Sequence, residues 1–484
     1  MYTSIDELLS TVPFSRDNIK TDSRKVNNGD VFVAIKGTVD DGHDYVYEAL
    51  EKGASMILCE RKIVGVLPEV LNKTRIVKNV REVLGHIAKH VFDDPSSSLA
   101  VYGVTGTNGK TTTVFLIDSM LNCSGQKSGL ISTVFNKTSG NDIQRSFLTT
   151  PDLITINKFF SEIKEDGKQA VVLEISSHAL SQQRIAGLRL DSAVVTNITP
   201  EHMDYHKSMG RYLNDKTKIF KNLKTDGIAV LNYDDPLVSG LGRTIEASSV
   251  ITFGFDRKAD VRAENVYLSK DFTEFDLVTE KRGTIQIRSP LLGKYNVYNI
   301  LAAISALMKS QIDLEDMAKG IKKALPVSGR LEIAKETSRV KVFIDYAHTP
   351  HALENVLLCL KYLTEKGLIC VFGCGGDRDR TKRPVMGQIA ARLCDRVILT
   401  SDNPRTEDPK EILAEIENGM AGKHNYIVIE NRKDAIREAI KSSRKGDIVI
   451  IAGKGHEDYQ VIGDKVEHFD DKEAARQVLE ELGW

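Results

Sequence analysis

The sequence predicts an α/β protein of three domains, the central one a doubly wound, mainly parallel sheet that carries a phosphate-binding loop (P-loop). Its 484 residues are too many for one ordinary core, and domains of roughly 100–200 residues favour two or three. Apolar, β-branched runs alternate with helical patterns, which is typical of parallel sheets covered on both faces. A glycine-spaced loop, GTNGKTT (106–112), stands between one such run and a helix.

Two breaks in the pattern divide the chain. The first part is a smaller N-terminal α/β domain, 1–95, which ends at the hinge DDPSSS. It is predicted by two strand patterns, DVFVAIKG and ASMILCE, and by one helical pattern, NVREVLGHIAKHVF. Runs such as LAVYGV, QAVVLEIS and DSAVVTNIT predict the central P-loop domain, 96–328. After ALPVSGRLE the alternation starts again with VKVFIDYA and LICVFGCGG, which predicts a C-terminal Rossmann-like α/β domain, 329–484.

The composition excludes several classes of function. Lys and Arg (66) almost balance Asp and Glu (67), so no global basic field is present to recruit nucleic acid or an anionic membrane. The six cysteines lack a paired zinc spacing and are expected to be free thiols in a reducing cytosol. The sequence shows neither a signal-peptide pattern nor a run of ~18 apolar residues. We therefore expect a cytoplasmic protein that does not insert into membranes.

The glycine loop is suited to hold a chain of phosphates. Backbone N–H groups and the positive end of the following helix can face the phosphates, Lys110 can neutralise the β/γ oxygens, and the Thr111 hydroxyl can hold Mg²⁺. One feature departs from the common G-x-x-x-x-G-K-[ST] pattern, because its first glycine would fall at Val104. The alternative interpretation is a chance glycine turn before a helix.

Acidic metal ligands near the loop are also needed for phosphoryl transfer from ATP. Glu174 ends the apolar run AVVLE, and His202 follows the next strand unit in TPEHMDYH, so both side chains are placed to reach the loop. Taken singly, Glu174 can equally be the partner of a helix cap and His202 a surface imidazole. Together with the loop, they favour a two-metal nucleotide site.

Ordered blocks along essentially the whole chain resemble the Mur ligases, the ATP-dependent amide-forming enzymes of peptidoglycan precursor synthesis. Within that family the set looks like the MurE-type members, which extend UDP-N-acetylmuramoyl-L-alanyl-D-glutamate. The blocks are TDSRKVNNGDVFVAIKG (21–37), GTNGKTT (106–112), TTPD (149–152), EISSHAL (174–180), NITPEHMDYH (197–206), GKYNVYNILAA (293–303), GRLE (329–332), DYAHTP (345–350), GCGGDRDRTKRP (373–384), SDNPRTEDP (401–409) and AGKGHEDYQ (452–460).

The resemblance implies a reaction with three small-molecule partners. ATP phosphorylates a free carboxylate of the UDP-N-acetylmuramoyl-dipeptide, and the amine of meso-diaminopimelate then displaces phosphate. A carboxylate is inert to amines at neutral pH, whereas an acyl phosphate carries a good leaving group. The enzyme therefore needs cations around the phosphoryl group and a site that excludes water. A monomer without nucleic-acid partners is expected.

The resemblance also implies which residues hold ATP and Mg²⁺. Lys216 matches the lysine that the family carries as a carbamate, N6-carboxylysine. An uncharged, desolvated lysine can add CO₂ and become a carboxylate that ligates Mg²⁺; judged by residue type alone, Lys216 would be a surface lysine on a helix. The implied catalytic set is Lys110, Glu174, His202 and Lys216, and the implied metal ligands are Thr111, Glu174, His202 and Lys216. The implied ATP contacts are Gly106, Thr107, Asn108, Gly109, Lys110, Thr111, Thr112, Asn299 at the adenine, Arg330 at the domain junction, Asp345 and His348.

Six positions match the family's contacts with the nucleotide sugar, which the N-terminal domain is expected to bind. A guanidinium fork such as that of Arg184 suits a phosphate or a carboxylate. Thr149, Thr150 and Pro151 can equally form a helix entry, with threonine as the cap and proline in the first turn. The six positions are Ser23, Thr38, Thr149, Thr150, Ser176 and Arg184.

The block DNPR indicates which amino acid is added, because members that add meso-diaminopimelate resemble it whereas L-lysine-adding members usually lack the arginine. Diaminopimelate carries a second carboxylate that Arg405 can bind bidentately, whereas lysine would leave the guanidinium unpaired. An Asx turn followed by proline would explain Asp402 to Pro404 but not Arg405. The implied amino-acid contacts are Arg378, Asp402, Asn403, Pro404, Arg405, Gly453 and Glu457.

Other hypotheses remain open at this point. The same fold and blocks are compatible with an L-lysine-adding relative, a folylpolyglutamate synthetase or a catalytically silent nucleotide-binding scaffold. His351 and Thr381 depart from the family's usual aspartate and glycine, which leaves local loop geometry and substrate strictness open. The scaffold is disfavoured because a silent relative is free to lose its metal ligands, whereas Lys110, Glu174, His202 and Lys216 are all intact.

Overall fold

The computed structural model describes residues 2–38, 40–63, 68–140, 143–243, 245, 247 and 249–484. These residues form three larger β-sheets with helices packed against them, and one two-stranded hairpin. No helix within the described ranges is long and apolar enough to cross a lipid bilayer.

The first sheet lies near the N-terminus. Its strands are β1 (Ile19–Lys20), β2 (Val31–Val33), β3 (Met56–Cys59) and β4 (Thr74–Ile76), and they pair in that order, all parallel. Val31 and Val33 pack in one apolar cluster while Phe32 packs in another, so both faces of the sheet are covered. The helices are α1 (Ile5–Thr11), α2 (Val46–Glu51), α3 (Pro68–Asn72) and α4 (Val80–Val91), with 3-10 turns at Ser23–Lys25, Gly42–Tyr45 and Pro95–Ser97.

The second sheet has eleven strands and holds the glycine loop. Its strands are β5 (Ala100–Thr105), β6 (Ser128–Ile131), β7 (Phe135–Lys137), β8 (Ile143–Arg145), β9 (Ala170–Glu174), β10 (Leu190–Val195), β11 (Leu223–Asn232), β12 (Ser249–Gly254), β13 (Val261–Leu268), β14 (Thr273–Thr279) and β15 (Gly283–Ser289). Its helices are α5 (Lys110–Cys123), α6 (Leu153–Glu165), α7 (Ser177–Ser181), α8 (Met203–His206), α9 (Met209–Thr217), α10 (Pro236–Ser239), α11 (Lys294–Ala306) and α12 (Leu314–Lys323), with 3-10 turns at Lys218–Asn222 and Gly240–Arg243.

The order of this sheet is β15-β14-β13-β12-β11-β10-β5-β9-β6-β7-β8. The strands from β13 to β6 along that order run parallel, and antiparallel strands extend both edges. Tyr102 and Val104 of β5 pack in one core cluster and Val101 packs in the other, so helices cover both faces. This two-sided burial explains the uninterrupted apolar runs of the sequence.

The third sheet has the order β16-β17-β21-β18-β19-β20, with only the edge strand β16 antiparallel among its pairs. These strands are β16 (Glu332–Glu336), β17 (Val340–Asp345), β18 (Leu368–Phe372), β19 (Arg396–Leu399), β20 (Tyr426–Val428) and β21 (Asp447–Ala452), and β22 (Tyr459–Ile462) with β23 (Lys465–His468) forms the separate hairpin. The helices are α13 (Pro350–Leu363), α14 (Lys382–Leu393), α15 (Pro409–Asn418), α16 (Arg432–Lys441) and α17 (Asp471–Glu481).

The predicted fold class is confirmed by these sheets. Each of the predicted ranges 1–95, 96–328 and 329–484 contains one of the larger sheets, and the bounds of the domains stay a prediction. The edge strands β13 to β15 are not evident from the apolar runs of the sequence. Their residues alternate between buried and partly exposed positions, as in β14, so they lack the long apolar runs that mark the buried parallel strands.

Candidate active site

A cavity of about 1590 Å³ lies where the carboxyl ends of the central strands face those of the C-terminal sheet. The loops after β5, β9 and β10 line one side, and the loops after β17, β18, β19 and β21 line the other. Ligands of open parallel sheets bind at such ends. Of the residues that the sequence predicts for the site, all line this cavity except Ser23, Thr38 and Pro404.

The phosphate loop adopts a conformation that depends on its glycines. Gly106 and Gly109 have φ of 144° and 86°, in the region that disfavours side chains. A Cβ at Gly106 would overlap the hydroxyl of Thr196, and one at Gly109 would overlap the amide oxygen of Asn299. Helix α5 begins directly afterwards at Lys110, whose Nζ donates to the carbonyls of Gly106 (3.1 Å) and Thr107 (2.8 Å).

The end of β10 fixes the loop through polar contacts that the sequence analysis did not predict. The N–H groups of Thr107 and Asn108 donate to the backbone carbonyl and the side-chain oxygen of Asn197, at 2.8 and 2.9 Å. The backbone carbonyl of Asn108 in turn accepts a hydrogen bond from the hydroxyl of Thr196 (2.6 Å). No local pattern reveals such contacts, since about ninety residues separate the partners.

Glu174 is buried at the end of β9, with 1% of its surface exposed. Its Oε1 accepts from the hydroxyl of Thr111 (3.1 Å), and its Oε2 accepts from the backbone N–H of Thr133 (3.0 Å). The cap of the following helix α7 is Ser176, so Glu174 does not have the helix-cap role of the alternative interpretation. Its carboxylate lies beside the residue that would hold Mg²⁺ in the phosphate loop.

His202 and Glu201 form the second polar group of the site. Burial lowers the pKa of His202 to about 3, so its imidazole is neutral and can act as a ligand. Glu201 Oε1 lies 3.8 Å from His202 Nε2 and 3.3 Å from Nε2 of His348 in the C-terminal domain. Although burial opposes it, the pKa of Glu201 is held below its usual value by the close contact with His348 and by the charge of Lys110. Glu201 was not among the predicted site residues.

Lys216 is a buried lysine, with 1% of its surface exposed, and is not a surface residue. Its Nζ donates to the carbonyl of Gly106 (2.7 Å) and lies 4.7 Å from the centre of the Tyr212 ring. Burial, followed by the charge of Lys110, lowers the pKa of Lys216 well below its ordinary value. Helix α9 is held in place by Asp215, whose Oδ2 lies 2.8 Å from Nδ1 of His206.

The C-terminal domain reaches the phosphate loop through Arg330. Its Nη2 donates to the Thr111 hydroxyl (3.0 Å), and its guanidinium lies 4.6 Å from the centre of the Tyr346 ring. Asp345 accepts the N–H groups of Leu331 (2.6 Å) and Ala347 (2.8 Å), and burial raises the pKa of its carboxyl. Asp345 therefore shapes the loop that carries Arg330.

Asn299 and His351 both lie against the phosphate loop. Asn299 donates to the side-chain oxygen of Asn296 (2.9 Å) while its own oxygen faces Gly109. The imidazole Nδ1 of His351 lies 3.3 Å from Nδ2 of Asn108, so the residue that replaces the family's usual aspartate contacts the loop. Thr381, the other departure, donates to Asp379 (2.6 Å) within its own loop.

Two guanidinium groups, those of Arg378 and Arg405, share the far part of the cavity. Arg405 donates to the carbonyl of Gly376 (2.7 Å), and Arg378 donates to that of Asp377 (2.9 Å). Among the described residues, no carboxylate forms an ion pair with either of them. Burial, and next the charge of Arg405, lowers the pKa of Arg378. The pair therefore forms a site for an anion.

An acidic group lines the same cavity as these two arginines. Glu457 accepts at Oε2 from the side-chain amide of Asn403 (3.0 Å) and at Oε1 from the hydroxyl of Tyr346 (3.2 Å). The buried Lys454 donates to Oδ1 of Asn403 (2.9 Å), which fixes the orientation of the amide. A substrate with carboxylates and an amine fits this arrangement of two cations and one carboxylate.

The residues predicted for the nucleotide sugar divide into two groups. Thr149, Thr150, Ser176 and Arg184 line the main cavity, and Arg184 donates to the carbonyl of Thr150 (2.8 Å). Ser23 instead donates to Glu48 (2.9 Å) in the N-terminal domain, and Thr38 lines a smaller cleft of about 410 Å³ with residues of α8 and α9. The structure does not bring these two residues together with the other four.

The protein ligands for a metal are few. The described residues contain no group of three or more His, Cys, Asp or Glu side chains that could hold a metal ion by themselves. Mg²⁺ usually takes one or two carboxylates and completes its shell with water and substrate phosphates. The hydroxyl of Thr111, the carboxylate of Glu174 and the neutral imidazole of His202 beside the phosphate loop fit such a shared site.

Comparison with known proteins identifies the family. The family models described as the Mur ligase middle domain, the Mur ligase glutamate ligase domain and the Mur ligase family catalytic domain match residues 104–307, 329–455 and 17–92. The chain belongs to the Mur ligase family. The structural similarity extends over the three sheets, so the sequence resemblance is confirmed.

Similar Mur ligases carry one activity in their names. The 2,6-diaminopimelate ligases of UDP-N-acetylmuramoyl-L-alanyl-D-glutamate from Bacillus cereus and Clostridium acetobutylicum are 42% and 41% identical to this chain. The alignments cover 96% of the chain in both cases, and 94% and 95% of the relatives. A solved structure of such a ligase is 33% identical, has a TM-score of 0.67 and covers 97% of this chain and 95% of its own.

The substitution Gly109→Ala tests the loop geometry. The new Cβ would displace the amide of Asn299 in addition to the cost of a side chain at positive φ, roughly 1–2 kcal/mol. We expect ATP binding to weaken at least about tenfold, which corresponds to about 1.4 kcal/mol, in titration calorimetry. Gly125→Ala is the matched control, because φ is 85° there and a Cβ meets nothing within 4 Å. Equal ATP affinities of the two variants would contradict the role assigned to the Gly109–Asn299 contact.

Proposed function

We propose that this Mur ligase adds meso-diaminopimelate to UDP-N-acetylmuramoyl-L-alanyl-D-glutamate, with ATP cleaved to ADP and phosphate through an acyl phosphate. The observation that carries the choice of amino acid is the pair of guanidinium groups, Arg378 and Arg405, without a carboxylate partner among the described residues. Relatives over nearly the whole chain are named for the same reaction, which places the product in peptidoglycan synthesis.

The two ends of diaminopimelate explain the polar groups of this part of the cavity. Arg405 can bind the far carboxylate bidentately, and Arg378 can contact a carboxylate as well. Glu457, held by Asn403 and Tyr346, can accept hydrogen bonds from an ammonium group. L-lysine lacks the far carboxylate, so it would leave the Arg405 guanidinium without an anion.

The residues around the phosphate loop supply what carboxylate activation requires. Lys110 and Arg330 place positive charge where the γ-phosphoryl group would transfer. The loop N–H groups that do not donate to Asn197 can face the phosphate chain. Asn299, in contact with the loop at Gly109, is proposed to face adenine, and Asp345 and His348 to line the nucleotide. The dipeptide end of the nucleotide sugar is proposed to be positioned by Thr149, Thr150, Ser176 and Arg184. Its uridine end is proposed to lie at Ser23 and Thr38.

Mg²⁺ is proposed to be held by Thr111, Glu174, His202 and the carbamate of Lys216. When bound, the metal would neutralise charge on the phosphates and polarise the phosphoryl oxygens. The burial of Lys216 and its lowered pKa favour the uncharged amine, which is the form that adds CO₂. The product would be an anion close to Lys110, whereas an ammonium group at this position would repel both Lys110 and the metal.

Two other hypotheses make different predictions. A silent scaffold would not need the buried Lys216 and Glu174 that converge on the loop. An L-lysine-adding enzyme would not need Arg405.

The protein is proposed to act on these small molecules as a cytoplasmic monomer.

The choice of amino acid is tested by supplying ATP, the muramoyl dipeptide and either meso-diaminopimelate or L-lysine to the purified protein. We expect tripeptide formation with diaminopimelate, and a fall of its kcat/KM by roughly ten- to a hundredfold in Arg405→Gln, because a charge-assisted hydrogen bond contributes about 1.5–3 kcal/mol. Arg444→Gln, at an exposed position before β21, serves as the control. Equal use of lysine by the wild type would contradict the proposal.

The carbamate is tested by carbon-13 NMR in labelled bicarbonate. The wild-type protein is expected to show a carbamate signal at neutral pH. Because CO₂ adds only to the uncharged amine, the signal is lost as the pH falls and Lys216 is protonated. Lys216→Arg should lose both the signal and about a hundredfold or more of kcat, whereas the exposed-site control Lys221→Arg should keep them. An unchanged signal in Lys216→Arg would place the carbamate elsewhere.

A further inference from the structure

Lys454 lies in the loop after β21, behind the amino-acid pocket, and the proposed reaction assigns it no role. None of its surface is exposed to solvent. Its neighbours Gly453 and Glu457 line the cavity, whereas Lys454 itself is not among the lining residues. An ammonium group is costly to bury unless it is paired. A buried lysine directly behind a substrate pocket therefore needs an explanation.

The ammonium group of Lys454 connects the three segments that form this part of the pocket. Its Nζ donates to Oδ1 of Asn403 (2.9 Å), in the loop after β19, and to the backbone carbonyl of Tyr459 (2.6 Å), at the start of β22. On its own loop, Nζ lies 4.0 Å from Oε2 of Glu457. Lys454 is therefore held in one place by groups from all three segments.

Asn403 connects this lysine to Glu457. One end of its side-chain amide receives the ammonium group of Lys454 and the backbone N–H of Val461, both at 2.9 Å. Both groups can only donate, so this end of the amide is its oxygen. The other end is the NH₂ group, which can only donate, and it lies 3.0 Å from Oε2 of Glu457. The donors on Asn403 therefore fix its amide with the NH₂ group toward the carboxylate.

Glu457 stands between this buried group and the substrate cavity. Its Oε1 accepts from the hydroxyl of Tyr346 (3.2 Å), so each of its oxygens receives a donor, as suits an ionised carboxylate. Its side chain is 19% exposed, whereas that of Lys454 is fully buried. A ligand in the cavity can therefore contact Glu457 on one side while Lys454 lies on the other.

The charges around Glu457 make the cation important. Burial, and next the charge of Asp402, raises the pKa of the Glu457 carboxyl, while Lys454 lowers it. Burial lowers the pKa of Lys454, and Asp402 and Glu457 oppose that shift. Each charge of the pair thus favours the other. The other titratable or charged groups that face Glu457 are Tyr346 and His348 after β17, Arg432 of α16 and Tyr459 of β22.

We propose that Lys454 is a positioning residue of the amino-acid pocket, which holds Asn403 against Glu457 and keeps the Glu457 carboxylate ionised for the ammonium group of the incoming amino acid. This inference rests on the function proposed above, in which Glu457 accepts hydrogen bonds from that group. Hydrogen bonds between two ionised groups are roughly twice as strong as neutral ones. A protonated Glu457 would therefore bind the ammonium group poorly.

The proposal fixes the direction of a pH dependence. Because Glu457 must be ionised, the KM for diaminopimelate rises as the pH falls through the pKa of its carboxyl. Without the charge of Lys454 that pKa is higher, so the rise begins at a higher pH. Enzyme molecules that lose the carbamate of Lys216 in acid are inactive, which lowers kcat and leaves KM unchanged. The two effects of acid are therefore separable.

The test measures the KM for meso-diaminopimelate over about pH 5–9, the range in which a raised carboxyl pKa would be seen. ATP and the muramoyl dipeptide are saturating. Lys454→Gln keeps a donor for Asn403 but loses the charge, and Lys454→Met keeps the shape and leaves no polar atom unpaired. In both variants we expect the rise of KM to move to higher pH by about one to three units, the usual effect of an opposite charge at this distance. The KM for ATP should stay unchanged.

The variant Glu457→Gln shows whether the shift acts through Glu457. With the carboxyl removed, adding Lys454→Gln should not change the pH profile any further. Lys465→Gln, at an exposed position of β23, is the control and should keep the wild-type profile.

Three results would overturn the proposal. They are an unshifted profile in both Lys454 variants, a shift that persists when Glu457 is replaced, and an equal loss of affinity for ATP, which would indicate a purely structural role. If the wild type forms no tripeptide with diaminopimelate at any pH, the proposed function fails instead, so the two failures are distinguishable.

Discussion

The hydroxyl of Thr111 is the contact on which the arrangement of the site depends. It donates to Glu174 of the central sheet (3.1 Å) and accepts from Arg330 of the C-terminal domain (3.0 Å), which uses one hydrogen and one lone pair of the same oxygen. The phosphate loop, a buried carboxylate and the C-terminal domain therefore meet at a single atom. Any ligand of this hydroxyl is placed at once against groups from both domains.

The charges around that atom explain why the site suits a polyanion. Three basic side chains converge on the loop from different elements, namely Lys110, Lys216 and Arg330. Burial disfavours the charged form of Lys216. Glu174 and Glu201 are also withdrawn from water. Charges of this kind are costly to bury unless they are paired. Phosphates, a metal and a carbamate would complete the pairing, which links binding of ATP to the organisation of the whole cavity.

Much of the fold could be predicted from the sequence, because buried parallel strands have uninterrupted apolar runs and the glycine loop has local requirements. Lys110, Glu174 and His202 could be assigned from their positions at strand ends. Contacts between distant segments could not be predicted. Residue type alone makes Lys216 a surface lysine, since its burial depends on packing of α9 against the loop after β5.

The functional residues that could not be predicted from the sequence also depend on contacts between distant segments. Glu201, for example, lies 3.3 Å from His348 of another domain. Ser23 and Thr38 were predicted with the other nucleotide-sugar residues; they lie outside the main cavity, and their role stays a prediction. Neighbouring residues in the sequence carry no signal of such placements, which follow from how three sheets are arranged.

These groups are proposed to convert an inert carboxylate into an acyl phosphate before the amine attacks. This conversion is tested most directly by supplying muramoyl dipeptide with oxygen-18 in its glutamyl carboxylates, together with ATP and meso-diaminopimelate, and by mass spectrometry of the released phosphate. We expect one labelled oxygen to be transferred to each phosphate as the tripeptide forms. Tripeptide formation with unlabelled phosphate would contradict it.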